Sequence, residues 1–360
     1  MRFLSRCSLI AVLLIVASSI SAIGQDLHFS QYYASPLTLN PALTGRFDGE
    51  YRVTAIYRNQ WSQVNRPLWS TPSASVDFSL FKEKLKKDAF GLGLVFVNDQ
   101  ANSARFNTYK IAANFAYHKG FGKNGKTQAS LGIGVSWTQK NFDFNDLRFE
   151  DGFDPFDITS YGTSAEQLAG DNNSYIDVNA GLLINSQITE STVIYGGYSL
   201  FHLTTPNEVF LTLQGGGTTT DNNIPMRHVI HMGAEIDLSD KFTLIPGLLG
   251  QFMAKSKEIN FGLTAGYHFL EKSDNENATP KRVASIYGGL WHRWGRSVIL
   301  KAGLDWKSFR LGVAYDVNVS SLKDIKNTGA NHPTAFEISL AYIGRITPPK
   351  DRVYLFNPRF

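Results

Sequence analysis

The segment from Gly120 to Thr127, GFGKNGKT, has the residue types and spacing of a loop that binds nucleotide phosphates, G-x-x-x-x-G-K-T. In such a loop a strand leads into the glycines and a helix begins at the lysine, so that backbone amides point at the phosphate. Residues 128–137 instead alternate between polar or small and apolar side chains, as a strand does. We therefore predict a hairpin turn here, with no nucleotide or other cofactor site.

The histidines do not have the spacing of a metal site. His228 and His231 are three positions apart, which on a strand places their side chains on opposite faces and prevents shared ligation. Three other histidines fall at or near positions that we expect on the polar face of strands, where they are explained as a polar lining: His118, His268 and His292. We predict no metal site from these residues.

An acidic stretch over 143–157 offers the carboxylate oxygens that calcium prefers. Its carboxylates are Asp143, Asp146, Glu150, Asp151, Asp154 and Asp157. The stretch lacks the glycine at the sixth position and the glutamate at the twelfth that a helix-flanked calcium loop requires. A solvated loop is the simpler interpretation. Since the chain also has no G-x-S-x-G nucleophile elbow, we predict no catalytic residue and no enzyme activity.

The N-terminus has the order of residues of a secretory signal peptide. Arg2 and Arg6 precede an apolar run over 9–20, and small residues follow at Ala22 and Gly24. Cleavage after Gly24 leaves a mature chain without cysteine, because Cys7 is the only cysteine in the sequence. We expect an exported protein in which disulfides and thiol chemistry have no part.

The composition after this leader favours a membrane protein built from strands. No apolar run approaches the ~18 residues of a spanning helix, and charged residues make up only 18% of the chain against roughly 25% in ordinary soluble domains. Aromatic residues reach 13%, with 31 glycines. A net charge of +4 on this length does not indicate a nucleic-acid partner.

Alternation with a period of two recurs along the chain, for example at 128–138, 259–269 and 309–320. These stretches match the ~9–11 residues of a tilted membrane strand. We predict an all-β, antiparallel transmembrane barrel of the bacterial outer membrane with about fourteen strands. The predicted strands are 50–61, 73–81, 90–98, 105–118, 128–140, 174–185, 192–204, 226–237, 241–253, 258–269, 282–293, 297–305, 308–320 and 334–345.

The lengths of the connections fit this barrel. The long ones, 62–72, 141–173, 205–225 and 321–333, all follow odd-numbered strands, whereas most connections after even-numbered strands are short. Outer-membrane barrels have long outer loops and short periplasmic turns, so we expect the long connections outside. The alternative is a soluble β-sandwich or propeller, whose strands are shorter and more evenly spaced.

The first residues after the leader, DLHFSQYYASPLTLNPALTG over 26–45, closely resemble the opening of the PorP/SprF family, which belongs to the type IX secretion and gliding systems of Bacteroidetes. Shorter matches to that family lie at 51–61, 199–207, 311–316 and 357–360. The positions that carry the resemblance are Phe29, Ser30, Gln31, Tyr32, Pro36, Asn40, Pro41, Ala42, Gly45, His202, Pro206, Asn207, Pro358, Arg359 and Phe360.

The resemblance implies a role in handling proteins at the outer membrane. The protein would help to secrete or anchor a large adhesin-like protein, in secretion or in gliding motility. The implied partners are outer-membrane lipid, a secreted protein with a type IX C-terminal sorting domain, and periplasmic ring components of the secretion system. The competing hypothesis is a transport channel, either a porin or a carrier of hydrophobic molecules.

The predicted organisation has four parts: a signal peptide over 1–24, an N-terminal segment over 25–47, the barrel over 48–345 and a periplasmic tail over 346–360. The turn residues Asn40-Pro41 and Thr44-Gly45 predict an ordered, non-strand N-terminal segment. It would start in the periplasm and either cap the barrel floor or enter the lumen as a plug. Small residues on the lumen side leave room for a plug: Gly132, Gly134, Gly262 and Gly266.

Overall fold

The structure is a computed structural model, and it describes residues 26–61, 69–82, 85, 87–101, 106–122, 125–141, 167–168, 172–208, 211–212, 223–271, 281–320, 334–346, 356 and 358. The predicted signal peptide and the acidic stretch over 143–157 lie outside these residues. Among the described residues, no helix is both long enough and apolar enough to cross a membrane.

Long antiparallel strands dominate the part of the chain that the structure describes. Three short helical turns precede them, at Tyr32–Ala34, Pro36–Leu39 and Pro41–Leu43. The strands are β1 (Tyr51–Gln60), β2 (Trp69–Leu80), β3 (Ala89–Ala101), β4 (Phe106–Phe121), β5 (Thr127–Asn141), β6 (Gln167–Leu168), β7 (Asn172–Thr189), β8 (Thr192–Phe201), β9 (Leu211–Thr212), β10 (Arg227–Asp237), β11 (Phe242–Met253), β12 (Ser256–Glu271), β13 (Lys281–Arg293), β14 (Ser297–Trp306), β15 (Phe309–Asn318) and β16 (Thr334–Gly344).

Fourteen of these strands close into one barrel, in which each strand pairs with its neighbours along the chain and β1 pairs with β16. The remaining two, β6 and β9, pair only with each other. The predicted antiparallel barrel of about fourteen strands is therefore confirmed. The predicted hairpin at the phosphate-loop match is also confirmed. The match joins β4 to β5, and a strand, not a helix, begins at Thr127.

The two faces of each strand differ in the way that a membrane requires. On β5, Leu131 and Ile133 point outward and are 58% and 51% exposed, whereas Ser130 and Ser136 point inward and are buried. The same outward apolar face recurs around the barrel. An exposed leucine or isoleucine forgoes roughly 1.5–3 kcal/mol of burial in water, and hydrocarbon removes that cost. The inner, polar face must instead satisfy its hydrogen bonds inside the barrel.

Strand ends differ from prediction where the backbone chemistry is special. β2 begins at Trp69 and includes Pro72, which the prediction had excluded. Pro72 pairs with Tyr57 on β1, but the pairing with β3 is interrupted at Thr71 and Pro72, because proline has no N–H to donate. β8 ends at Phe201 instead of residue 204, since His202 has a φ of 60° and its amide donates to the Asp177 carboxylate.

The two ends of the barrel carry different connections. The longest, 142–171, 202–226 and 319–333, all lie at one end, here called the loop end. The terminal end is the one at which β1 begins and β16 ends. One expectation is corrected, since the connection after β1 shortens to 61–68 and is no longer than 81–88 at the terminal end. Its predicted length depended on starting the second strand at residue 73, after Pro72.

Candidate functional site

Residues 26–47, here called the N-terminal segment, run through the inside of the barrel from the loop end to the terminal end. At its start, Asp26 pairs with Arg227, the first residue of β10 at the loop end. At its finish, the Phe47 carbonyl accepts a hydrogen bond from Lys82, which follows β2 at the terminal end. The segment is predicted to start in the periplasm, and its first described residue lies at the loop end.

The loop end of the segment is held by charges. The Asp26 carboxylate lies 3.2 Å from the ring Nε2 of His202 and 3.2 Å from Nε of Arg227. The other ring nitrogen of His202 lies 3.0 Å from the Asp177 carboxylate. His202 is thus a bridge between the segment and β7. Its left-handed backbone, which turns the chain out of β8, aims the ring at both carboxylates.

The protonation of these groups follows from their burial and their partners. Burial raises the pKa of Asp26, but the charges of Arg227 and His202 outweigh it and hold this pKa well below its ordinary value. Burial lowers the pKa of His202, but its hydrogen bonds to Asp177 and Asp26 raise it above the ordinary value. The geometry therefore favours a charged pair between Asp26 and His202.

This pair predicts a window of pH in which the segment is held most firmly. The Asp26 contribution is present above about pH 4 and is lost as pH falls through its lowered pKa. The His202 contribution is present below about pH 6.5 and is lost as pH rises through its raised pKa. We expect hydrogen exchange of residues 26–31, corrected for its intrinsic pH dependence, to be slowest in mildly acidic buffer. In a His202→Asn variant, the exchange rate should no longer rise as the pH increases above this window. An exchange-versus-pH profile unchanged from that of the parent would contradict the pairing.

A second clamp lies on β16, where one carboxylate holds the segment by its backbone. The Glu337 oxygens accept hydrogen bonds from the amides of Ser30 (2.7 Å) and Gln31 (2.8 Å). Arg58 of β1 forms an ion pair with the same carboxylate, and both side chains are buried. Because a buried carboxylate is costly without full hydrogen bonding, this arrangement fixes the position of the segment against β1 and β16.

The Ser30 hydroxyl extends the clamp to the neighbouring strands. It donates to the Asp316 carboxylate of β15 at 2.7 Å and accepts from Arg293 of β13 at 2.8 Å. Arg293 also pairs with Asp316 at 3.0 Å. Four strands, β1, β13, β15 and β16, thereby meet at one serine of the segment.

Halfway through the barrel, both the amide nitrogen and the amide oxygen of Asn40 form hydrogen-bond contacts. Its amide nitrogen donates to the Leu182 carbonyl of β7 at 2.9 Å and lies 3.0 Å from the ring Nε2 of His231. Its oxygen accepts from the Ala42 amide and so caps the turn at Pro41–Leu43. The other ring nitrogen of His231 contacts the Tyr33 hydroxyl at 3.1 Å. His231 is buried and His228 exposed, so the prediction of opposite faces is confirmed.

The terminal end of the segment repeats the pattern of the Glu337 clamp. Asp77 of β2 accepts from the Gly45 amide at 2.7 Å and pairs with Arg52 of β1 at 2.7 Å. His118 of β4 lies 2.8 Å from the Thr44 carbonyl. Arg46 is fully buried and donates to Ser130 at 2.7 Å, with further contacts to Gln128 and Asn185. Carboxylates of the wall thus meet backbone amides at both ends.

Glycines on the inner face allow the segment to approach the wall. A Cβ on Gly91 would lie 1.9 Å from the Thr44 carbonyl oxygen, and one on Gly132 would lie 2.3 Å from the Ala42 nitrogen. Of the four predicted glycines, Gly132 faces the segment. The other three do not, because Gly134, Gly262 and Gly266 face Asn114, Trp291 and Tyr287 of the wall.

Adding one methyl group at Gly132 is expected to loosen the segment. Gly132→Ala places Cβ against backbone atoms of Pro41 and Ala42, which cannot move aside as a side chain can. The matched control is Gly288→Ala, since a Cβ at Gly288 meets no atom within 4 Å. We expect trypsin to cleave after the buried Arg46 in the Gly132 variant and not in the control or the parent. Equal protection of all three proteins would show that the segment does not pack on β5.

The structure brings most of the motif positions together. Phe29, Ser30, Gln31, Tyr32, Pro36, Asn40, Pro41, Ala42 and Gly45 are all buried residues of the segment. His202 contacts the segment, whereas Pro206 and Asn207 lie in the following loop, next to Ile224 and Asn223. Pro358 is buried, and Arg359 and Phe360 lie outside the described residues.

The charged wall residues that hold the segment were not predicted from the sequence. Glu337 and Asp77 are each the only charged residue on the inner face of their strand, and Arg58 shares the inner face of β1 with Arg52. A charge at a lumen position is the signal that would have found them, because it needs a partner inside the barrel.

One histidine was predicted on the wrong face. His292 lies outward between Phe261 and Val298, where its ring packs on Phe261 at 5.7 Å.

The other end of the chain also reaches the lumen. Phe356 is buried, and its ring lies 5.2 Å from that of Tyr195 on β8. Both belong to an apolar cluster with Tyr33 of the segment and Trp291 of β13. The sequence predicts a periplasmic tail over 346–360, most of which lies outside the described residues. At Phe356, however, the chain packs inside the barrel.

The inner face shows no arrangement for metal chemistry in the described ranges, since nowhere there do three His, Cys, Asp or Glu side chains stand close enough to hold an ion. Many of its described charges form pairs, such as Arg52 with Asp77 and Arg58 with Glu337. What the arrangement can do is fix one stretch of polypeptide along the whole length of a barrel.

The family model described as type IX secretion system membrane protein PorP/SprF matches residues 21–342. No curated protein sequence matches the chain. Among solved structures, the Ralstonia pickettii toluene transporter TbuX is similar at 12% identity and a TM-score of 0.50, over 88% of this chain and 95% of that one. A Pseudomonas aeruginosa FadL homologue is similar at 10% identity and a TM-score of 0.43, over 84% and 92%. At such identities the likeness concerns the outer-membrane barrel fold alone.

Proposed function

This chain belongs to the PorP/SprF family of type IX secretion system membrane proteins, and we propose that it helps to secrete a large adhesin-like protein or to anchor it at the cell surface. Its partners would be a secreted protein with a type IX C-terminal sorting domain and the periplasmic ring components of the secretion system. The observation that carries the proposal is the N-terminal segment, in which residues of the family resemblance run through the barrel from the loop end to the terminal end. Such a barrel suits a rigid scaffold for protein contacts.

The lining of the lumen supports a scaffold over a channel. Polar side chains of a water-filled pore are exposed to solvent, whereas here Asp177, His231 and Asn260 are fully buried. Several buried charges of the lumen are paired with each other or with the segment, among them Asp177 with His202 and Asp316 with Arg293. We expect the parent protein to conduct few or no ions in planar bilayers.

We propose a topology in which the leader over 1–24 is removed on export, the loop end faces outward and the terminal end faces the periplasm. Because Asp26 lies at the loop end, the start of the mature chain then lies on the outer side. A peptide tag inserted before Asp26 should be accessible to antibody on intact cells, as should a tag in the loop over 142–171. The control is a tag in the turn over 190–191, at the terminal end, which should be reached only after permeabilisation. An N-terminal tag that behaves like the turn tag would contradict the path of the segment.

The partners are tested by purifying the tagged protein in mild detergent from native outer membranes and identifying the bound proteins by mass. We expect a large secreted protein with a type IX sorting domain, together with ring components. Long loops on a rigid scaffold usually carry recognition, so replacing 142–171 by a short Gly-Ser linker should remove the secreted protein. The same replacement of 272–280, at the terminal end, is the control and should retain it. Recovery of the barrel without bound proteins, together with ion conductance, would contradict the secretion role and support the channel hypothesis.

A further inference from the structure

The outer face of the barrel carries a depression halfway along β10, β11 and β12. Its floor is formed by Ala234 and Pro246, two small outward residues at the position where the pairing of β10 with β11 is interrupted. Its sides are large apolar residues of the neighbouring strands, namely Ile194, Met232, Leu248, Phe261, Leu263 and Leu290. The interruption has a chemical reason, because proline cannot donate a ladder hydrogen bond.

The wall beneath the depression is one backbone thick. Gly233, Gly247 and Gly262 stand side by side on the inner face of the three strands. In place of their missing side chains lie the rings of Tyr195 and Trp291, since a Cβ on Gly233 would come within 2.5 Å of the Tyr195 hydroxyl and one on Gly262 within 2.5 Å of the Trp291 ring. Both rings are almost fully buried, with Trp291 1% and Tyr195 5% exposed, so they support the thin wall from the inside. The depression is therefore apolar at its sides and has glycine backbone at its base.

The size and the surroundings of this depression indicate its occupant. Its volume is about 860 Å³, within the ~300–1,000 Å³ of sites that hold small organic ligands. It lies within the belt of outward apolar side chains, in which Met232 is 47% exposed and Leu290 is 59% exposed. That belt faces hydrocarbon in an outer-membrane barrel. What enters the depression from this side is an apolar chain.

We propose that the depression floored by Ala234 and Pro246 is a binding site for one acyl chain of an outer-membrane lipid, seated over the backbone of Gly233, Gly247 and Gly262. Its role is to fill the thin part of the wall. An acyl chain in the depression gains dispersion contacts with the apolar side chains on both sides of it, which a chain on the flat belt does not gain. This site is independent of the secretion role, since it faces the membrane and involves none of the residues that hold the N-terminal segment at its ends.

The test uses the full-length protein in vesicles of phosphatidylethanolamine and phosphatidylglycerol that contain a small fraction of phospholipid with a diazirine on the acyl chain. After illumination, labelled peptides are located by mass spectrometry. We expect labelling concentrated on β10, β11 and β12 in the parent. Ala234→Phe fills the floor and should lose most of this labelling. Ala113→Phe, the same change at an exposed outward position of β4 outside the depression, should leave it unchanged.

Two results would overturn the proposal. Labelling spread evenly around the barrel would show an ordinary lipid belt without a site. Labelling of β10 to β12 that persists in both Ala234→Phe and the smaller Ala234→Leu would show that the chain sits elsewhere. A shift of electrophoretic mobility on heating, as folded barrels show before unfolding, confirms that each variant is folded when it is labelled.

Discussion

Deleting residues 26–45 is expected to turn a closed barrel into one that conducts ions. The segment supplies partners to inward groups on most strands, including Glu337, Asp77 and His231. Without it these groups must be hydrated, since a buried charge or polar group without a partner is costly. Water and ions then follow into the lumen. Single-barrel conductance in planar bilayers measures the change directly, and we expect discrete steps that the parent protein lacks.

The control deletion removes 213–220 from the loop after β8, which leaves the strands and the segment intact. It should behave like the parent. If the deletion of 26–45 yields a folded barrel that still does not conduct, the lumen is closed by other groups, and the segment is not the plug. Phe356 is the first candidate in that case, because it packs on Tyr195 inside the barrel.

Replacing Glu337 by alanine is expected to have the largest effect of any single substitution. Glu337 is fully buried and holds the amides of Ser30 and Gln31 as well as the Arg58 guanidinium. Its removal leaves the buried Arg58 with only its longer ion pair to Asp316, at 3.6 Å. Breaking a buried pair costs about 3–5 kcal/mol. The temperature at which the folded barrel loses its faster electrophoretic mobility should fall markedly, and the amides of residues 29–32 should exchange faster.

The matched control is Asp305→Ala, which removes the partner of Arg310 from an ion pair of 2.9 Å near the terminal end. Both side chains of this pair are partly exposed, and such pairs contribute only about 0–1 kcal/mol. It should shift the unfolding temperature little. The double variant Arg58→Met with Glu337→Leu should recover part of the loss, because removing both charges leaves none unpaired. A Glu337→Ala protein as stable as the Asp305→Ala protein would contradict the clamp.

The barrel itself was predictable from the sequence because alternate residues of a membrane strand face hydrocarbon and the lumen, and differ in polarity accordingly. Alternation of apolar with small or polar residues identifies a strand without any knowledge of the strands beside it. On β5, Leu131, Ile133 and Val135 alternate in this way with Ser130, Gly132 and Gly134. Chain neighbours pair with each other in such a barrel, so the order of strands follows as well. Two boundaries failed where one residue breaks the regular backbone chemistry, at Pro72 and His202. Others were too short without such a cause, since β7 runs to Thr189, four residues past its predicted end.

The path of the N-terminal segment was not predictable in the same way. It depends on pairs such as Ser30 with Glu337, which are separated by 307 positions and show no pattern in the local sequence. The resemblance identified the segment as important but not the wall residues that receive it. Gly91 is an example. In the sequence it is one small residue among several on the lumen face, and its contact with the Thr44 carbonyl is seen only in the folded barrel.

The proposed role is tested most directly in the native bacterium by removing this protein and measuring which proteins remain on the cell surface. We expect at least one large protein with a type IX sorting domain to disappear from the surface fraction, and to return when the parent gene is restored. Restoring the Glu337→Ala variant should return less of it, in proportion to the amount of folded barrel. An unchanged surface proteome, together with impaired uptake of a hydrophobic compound, would contradict the secretion role and establish the channel in its place.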